Sequence, residues 1–216
     1  MIFLNLKTYP QATGEKAVEL LFSVKKIIEE SKIKIIPIVQ ATDIYRIKKS
    51  LGIEVWSQHV DSIDPGRGTG FISAYALKEA GASGVLLNHS EHKIERDIIS
   101  STIKKAKNYG LKILLVGHTP AMVLDFDNLT VDFLAYERQD LIEGEISLID
   151  QQKETIKTLI KKLKHPLIIG AGIKNEDDIK KTIAVGGRGV LLASHFVKAK
   201  NPKEKLKELV SAFFKK

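Results

Sequence analysis

Three side chains with complementary chemistry, Lys7, His89 and Glu137, each stand at or just beyond the end of a short apolar run. A carboxylate can abstract a proton, an imidazole can polarise or relay to oxygens, and an ammonium stabilises developing negative charge. Two further runs lead into glycine-containing turns, Gly170–Gly172 and Gly189–Ser194, whose backbone amides suit a phosphate. Taken singly, these features have plainer interpretations, such as a surface lysine, a core histidine or a tight turn. Taken together, they form a set fit for acid–base chemistry beside a bound phosphate.

The chemistry requires elements that bring these segments together, and the pattern predicts strands that alternate with helices. The predicted strands are Ile2–Leu4, Ile35–Val39, Val55–His59, Val85–Leu87, Lys112–Val116, Phe133–Tyr136, Leu167–Ile169 and Gly189–Leu192. Helical patterns lie between them, including Ser73–Ala80, Glu95–Asn108, Gln151–Leu163, Asn175–Val185 and Pro202–Phe214. Thr42 and Asn175 are the predicted caps at helix starts, and Gly110 is the predicted left-handed cap at a helix end.

Alternation of this kind indicates parallel strands joined by right-handed crossovers, and eight such units favour a closed (β/α)₈ barrel. We expect one barrel domain over residues 1–216. Because barrels usually need about 250 residues, some of the helices should be short or vestigial. An open doubly wound sheet is the alternative. In a barrel, the carboxyl ends of the strands would bring Lys7, His89, Glu137 and both glycine-containing turns to one face.

The amino-acid composition of the chain excludes several classes of protein. The chain has 216 residues, 44% of them hydrophobic, and it has no cysteine, so disulfides, thiolate metal sites and cysteine nucleophiles are excluded. It has no apolar run of about 18 residues and no leader-like amino terminus, so we expect a cytoplasmic protein with no membrane partner. The net charge of +8 suits either nucleic acid or small anionic substrates. The lysines are scattered, as in Lys153–Lys164, which favours a solvated face, so we expect no nucleic acid partner.

Several longer segments carry a more specific signal. They are Asn5-Leu6-Lys7, Gln58–Asp61, Pro65–Gly70, Leu86-Leu87-Asn88-His89-Ser90-Glu91, Gly170–Ile173 and Gly189–Ser194. In this order and nearly from end to end, they resemble the triosephosphate isomerase family, in particular its short archaeal-type branch. The resemblance implies a TIM barrel that interconverts glyceraldehyde 3-phosphate and dihydroxyacetone phosphate through an enediolate. It also implies a phosphorylated three-carbon sugar as the substrate, no cofactor and no metal, and assembly as a homodimer or homotetramer.

The resemblance also implies roles for individual residues, which are those established for the family. Glu137 would be the base, His89 the neutral electrophile, and Lys7 a catalytic and substrate-binding cation. The other implied residues are Asn5 for the substrate, Glu91 as a supporting carboxylate, and backbone groups at Ile142, Gly144, Gly172, Ala193 and Ser194 for the phosphate.

One segment departs from the family. After its glutamate the branch usually continues Pro-Pro-Glu-Leu-Ile-Gly-Thr-Gly, whereas here Arg138–Glu145 follows without the prolines. In an ungapped match, Glu143 and Glu145 replace two glycines of this lid. His195 also stands where a small residue is common. These changes motivate an alternative, namely a diverged barrel that has lost or altered the activity and binds another sugar phosphate or a protein partner.

Overall fold

The computed structural model describes residues 1–141, 146–170 and 172–214, which form a closed barrel of eight parallel strands. The strands are β1 Ile2–Asn5, β2 Ile35–Val39, β3 Trp56–Ser57, β4 Gly84–Leu87, β5 Lys112–Gly117, β6 Phe133–Tyr136, β7 Leu167–Ile169 and β8 Gly189–Leu192. Strand β1 closes the barrel, because Ile2 lies opposite Ile35 of β2 on one side and Val190 of β8 on the other. The predicted barrel is confirmed, and the open sheet is excluded.

Helices cover the outside of the barrel. They are α1 Glu15–Glu30, α2 Ala41–Leu51, α3 Ala74–Glu79, α4 Arg96–Asn108, α5 Pro120–Phe126, α6 Leu148–Lys162, α7 Glu176–Ala184, α8 Ser194–Val197 and α9 Pro202–Ser211. The expectation of short helices is confirmed at α3 and α5, which have six and seven residues. Two short 3₁₀ helices, Pro10–Ala12 and Gln139–Leu141, were not predicted. Among the described residues, no helix is long and apolar enough to cross a membrane.

Two of the three predicted caps are confirmed. Asn175 caps α7 in a reciprocal capping box with Asp178, and Gly110 has a φ of 70° just beyond α4. The prediction for Thr42 was wrong. Helix α2 already begins at Ala41, directly after the extended Gln40 that leaves β2, so Thr42 is the second residue inside the helix.

Two apolar layers hold the strands. The larger layer packs between the strands and the helices, as the alternation of side chains along a strand requires. The smaller layer fills the barrel interior and contains Phe3, Ile36, Ile38, Trp56, Leu86, Leu114, Val116, Ala135, Ile168 and Leu191. Near the amino-terminal ends of the strands, the rings of Phe3 and Trp56 meet edge to face with centroids 5.2 Å apart. This interior packing supports the carboxyl ends of the strands, where the predicted site residues lie.

The close contact between Gly84 and Trp56 yields a test of this packing. A Cβ atom on Gly84 would lie 2.5 Å from the Trp56 ring and 2.8 Å from the Lys112 carbonyl oxygen. We therefore expect Gly84→Ala to lower the free energy of unfolding by about 1–3 kcal/mol, the usual cost of overpacking. The same change should cost less in a Trp56→Phe background, where the smaller ring leaves room. Urea titration of the four proteins measures both effects, and an unchanged stability in Gly84→Ala would contradict the packing described here.

Candidate active site

The carboxyl end of β1 places Asn5 and Lys7 in a cleft at the carboxyl end of the barrel. Lys7 has a φ of 48°, a left-handed conformation that is uncommon for a residue with a side chain. Its backbone N–H donates to Asn5 Oδ1 at 3.0 Å, and the Gln58 amide donates to Asn5 Oδ1 and to the Lys7 carbonyl at 3.2 and 2.9 Å. These hydrogen bonds hold the strained turn in place. They thereby fix where the Lys7 ammonium enters the cleft.

The Lys7 ammonium forms an ion pair with Glu91. Its Nζ atom lies 2.6 Å from Glu91 Oε1, and about half of the Glu91 side chain is exposed. An ion pair of this exposure contributes little to stability. Its effect is on position, because it orients a flexible side chain that could otherwise turn to solvent.

His89 is held by the turn that follows β4. Asn88 is buried with a φ of 58°, and its side chain donates to the Val116 carbonyl at 2.8 Å and accepts from the Ile94 N–H at 2.9 Å. The backbone N–H of Glu91 donates to His89 Nδ1 at 3.2 Å. Since that N–H can only donate, Nδ1 is the acceptor, and the proton of the neutral ring lies on Nε2. The ring therefore presents an N–H group to the cleft.

Glu137 follows β6 directly and is only 4% exposed. Its Oε1 atom accepts a hydrogen bond from Ser90 Oγ at 2.8 Å and lies 3.2 Å from His89 Nε2. Burial alone would raise the pKa of Glu137, but the hydrogen bonds from His89 and Ser90 and the charge of Lys7 hold it below the usual value of a glutamate. The carboxylate is thus ionised in a site that excludes most water.

The space around this carboxylate is kept open by a glycine. A Cβ atom on Gly170 would lie 3.3 Å from Glu137 Oε2 and 3.4 Å from the Leu191 side chain. Gly172, two residues later, has a φ of 72°, and a Cβ there would approach the Ile146 carbonyl oxygen to 2.8 Å. A Cβ atom at Gly172 would collide with backbone, whereas one at Gly170 would crowd the side chains of Glu137 and Leu191.

Most of the predicted site residues meet in one cleft. It is lined by Asn5, Lys7, His89, Glu137, Gly172, Ala193 and Ser194, together with Ile173, Leu191, Leu192 and His195. Glu91 lies at its margin, paired with Lys7. Ile142 and Gly144, which were predicted to bind phosphate, lie outside the described residues, as do Glu143, Glu145 and Ala171.

Three residues of the site had no role assigned from the sequence. Ser90 donates to Glu137, Gln58 fixes the turn at Lys7, and His118 lies beside the Glu137 carbonyl. All three follow an apolar run within a few residues, so the rule that selected His89 could have selected them. Their partners stand on other strands, and a pattern along the chain does not show contacts across the barrel.

Known proteins resemble the chain over its whole length. Residues 1–213 match the family model described as triosephosphate isomerase. A triosephosphate isomerase from Methanobrevibacter smithii is 38% identical, and the alignment covers 98% of this chain and 97% of that protein. One from Methanobacterium bryantii is 37% identical, with coverage of 98% and 96%.

The fold is also shared with a solved structure. The crystal structure of triosephosphate isomerase from Bartonella henselae superposes with a TM-score of 0.71 at 22% identity, covering 98% of this chain and 96% of that one. At this identity the likeness concerns the fold. The sequence matches show the family, and the chain belongs to the triosephosphate isomerases, a family of aldose–ketose isomerases.

Proposed function

We propose that the chain interconverts glyceraldehyde 3-phosphate and dihydroxyacetone phosphate by moving a proton between adjacent carbons through an enediolate. The observation that carries the proposal is the buried, ionised Glu137 carboxylate 3.2 Å from the N–H of His89, in a cleft that also contains Lys7. Family membership supplies the substrate class, a phosphorylated triose. The proposal treats residues 1–216 as one barrel domain, and the pairing of β1 with β8 supports this.

In this mechanism Glu137 removes the proton from one carbon and returns it to the neighbouring carbon. The His89 Nε2–H group donates to the substrate oxygens as negative charge builds on them, and the Lys7 ammonium stabilises the enediolate. The neutral ring suits this role, because its Nε2–H group can donate a hydrogen bond to a substrate oxygen. Burial strengthens each of these interactions, since few waters compete for the charges.

The phosphate would bind at the other end of the cleft. Gly172, Ala193 and Ser194 line the cleft, and their backbone N–H groups are suitable donors for an anion. Ile142 and Gly144 belong to the same proposal from sequence alone. No cofactor enters the reaction as proposed, because each step moves only a proton.

A coupled assay of glyceraldehyde 3-phosphate turnover tests the proposal. Turnover well above that of a Glu137→Gln variant would support it. A protein that binds a triose phosphate or its analogue without turnover would instead favour the diverged barrel, which the replacements in the 143–145 segment motivate.

The role of Glu137 gives the first prediction on catalysis. Glu137→Asp should lower kcat by about a hundredfold or more with a much smaller change in KM, because the shorter side chain withdraws the carboxylate by about 1 Å. Steady-state kinetics measure the two constants separately, and Glu79→Asp on the exposed end of α3 is the matched control. An unchanged kcat with a raised KM would assign Glu137 to binding alone.

The hydrogen bond from Ser90 gives a prediction on pH dependence. Ser90 is one of the donors that lower the pKa of Glu137, so its loss in Ser90→Ala should move that pKa upward. The base must be ionised, and the acidic limb of kcat/KM should therefore shift to higher pH. Ser100→Ala, at an exposed serine of α4, serves as the control. A limb that stays in place or moves to lower pH would show that Ser90 does not act on the base.

We further propose that the chain assembles as a homodimer or homotetramer through the loop Asp61–Gly70. Ser62 and Asp64 anchor this loop to α4 through Ser101 and Lys105, and Phe71, directly after the loop, is 59% exposed. A fixed loop that presents an exposed aromatic side chain is suited to a protein contact.

Sedimentation velocity tests the assembly. We expect a species of two or four times 24.0 kDa, and Phe71→Asp should shift it toward the monomer because the charge would be buried in the contact. Phe22→Asp, at an exposed phenylalanine of α1, should leave the mass unchanged. A monomeric wild-type protein at micromolar concentration would contradict the proposal.

A further inference from the structure

His118 is a histidine beside the catalytic cleft to which the proposed mechanism assigns no step. It is the first residue after β5, and the Glu137 N–H donates to the carbonyl of the preceding Gly117 at 3.1 Å. The register of the barrel places Gly117 opposite Tyr136, so His118 and Glu137 leave neighbouring strands side by side. The residue is therefore adjacent to the main chain of Glu137.

The ring of His118 has an unusual environment. Both nitrogen atoms are shielded from solvent, and neither has a hydrogen-bond partner among the described residues. The ring does lie close enough to the Glu137 carbonyl to interact with it, but outside hydrogen-bond geometry. Buried polar groups are nearly always paired, so an unpaired ring next to the base requires an explanation.

The charge state of the ring is set by its neighbours. Burial lowers the pKa of His118, and the charge of Lys93 acts in the same direction, against the carbonyl and carboxylate of Glu137. The ring is consequently neutral near pH 7, with a proton on one nitrogen. It can donate one hydrogen bond, and the nearby acceptor is the Glu137 carbonyl.

The carboxylate of Glu137 is bound to Ser90 and His89 in this structure. On the proposed function, which this inference rests on, it must leave Ser90 to reach the substrate carbon. We propose that this movement turns the Glu137 peptide group and that His118 is a positioning residue, whose ring N–H binds the Glu137 carbonyl when the carboxylate takes its working position.

The unpaired N–H of His118 then shifts the equilibrium between two positions of the Glu137 carboxylate. It is unsatisfied while Glu137 is bound to Ser90 and satisfied when Glu137 faces the substrate, so it favours the second arrangement. A group of this kind contributes to turnover without contributing to the stability of the resting structure. Activity and stability should therefore respond differently to its removal.

Substitutions can separate this role from simple packing. His118→Phe keeps a ring of similar size and removes both nitrogens, whereas Gln and Asn retain an N–H donor near the positions of Nε2 and Nδ1. We expect His118→Phe to lower kcat by about tenfold with KM changed less than about twofold, and to leave the urea midpoint equal or higher. At least one of His118→Gln and His118→Asn should recover most of kcat. His92→Phe, at an exposed histidine of the same end of the barrel, is the control.

NMR of the ring gives a readout that does not depend on turnover. Addition of 2-phosphoglycolate to the wild-type protein should shift the His118 ring N–H resonance downfield as the hydrogen bond forms, and the resonance is assigned by its loss in His118→Phe. An inactive wild-type protein that still shows this shift would overturn the proposed reaction and leave the inference standing. An active protein with no shift and a normal kcat in His118→Phe would overturn the inference alone. The inference would also be overturned if His118→Phe lost kcat, affinity and stability together and neither His118→Gln nor His118→Asn recovered them, since that pattern indicates a packing role.

Discussion

A carboxylate charge buried at the mouth of the barrel is the constraint on which the rest of the site depends. Glu137 is almost fully enclosed, and an isolated carboxylate in such a position would take up a proton rather than remain charged. The donors that keep it ionised, Ser90 Oγ and His89 Nε2, come from the turn after β4, two strands away. The parallel pairing of β4, β5 and β6 is therefore a condition for the charge, because it brings the two turns together at one end of the barrel.

The backbone at the cleft is strained where it carries the functional side chains. Lys7 and Asn88 are the two non-glycine residues with positive φ in the described part of the chain, and both flank the cleft. Such conformations cost on the order of 1–3 kcal/mol and persist only where surrounding contacts fix them. Here Asn5, Gln58 and the two side-chain bonds of Asn88 supply those contacts. Strain and the hydrogen bonds that hold it are confined to the strand ends, while the apolar layers below remain regular.

The sequence predicts local features of this protein well and contacts across the barrel poorly. The strands Ile35–Val39 and Phe133–Tyr136 and the cap at Asn175 follow from residue types within a few positions of each other. The Thr42 cap was wrong because the chain turns from β2 into α2 two residues earlier than propensity indicates, with Gln40 at the cap position. The contacts of Ser90 and His118 with Glu137 depend on the register between strands, which periodicity does not specify. The positions of Glu137 and His89 at the ends of apolar runs singled them out, the family resemblance implied their roles, and the three-dimensional structure supplied the residues that support them.

The net charge of the cleft determines which groups could attract an anionic substrate. Lys7 is already paired with Glu91, and Glu137 adds a second negative charge, so these three groups together do not attract a dianion. The binding energy for a phosphate must then come from elsewhere, and the backbone amides near Gly172 and Ser194 are dipoles that attract anions without neutralising the base. The net charge of +8 acts over a longer range, but salt screens it beyond about 8 Å at physiological ionic strength. Under the proposed function, the distant lysines would assist the encounter, the backbone would hold the phosphate, and Lys7 and His89 would remain available for charge that develops during the reaction.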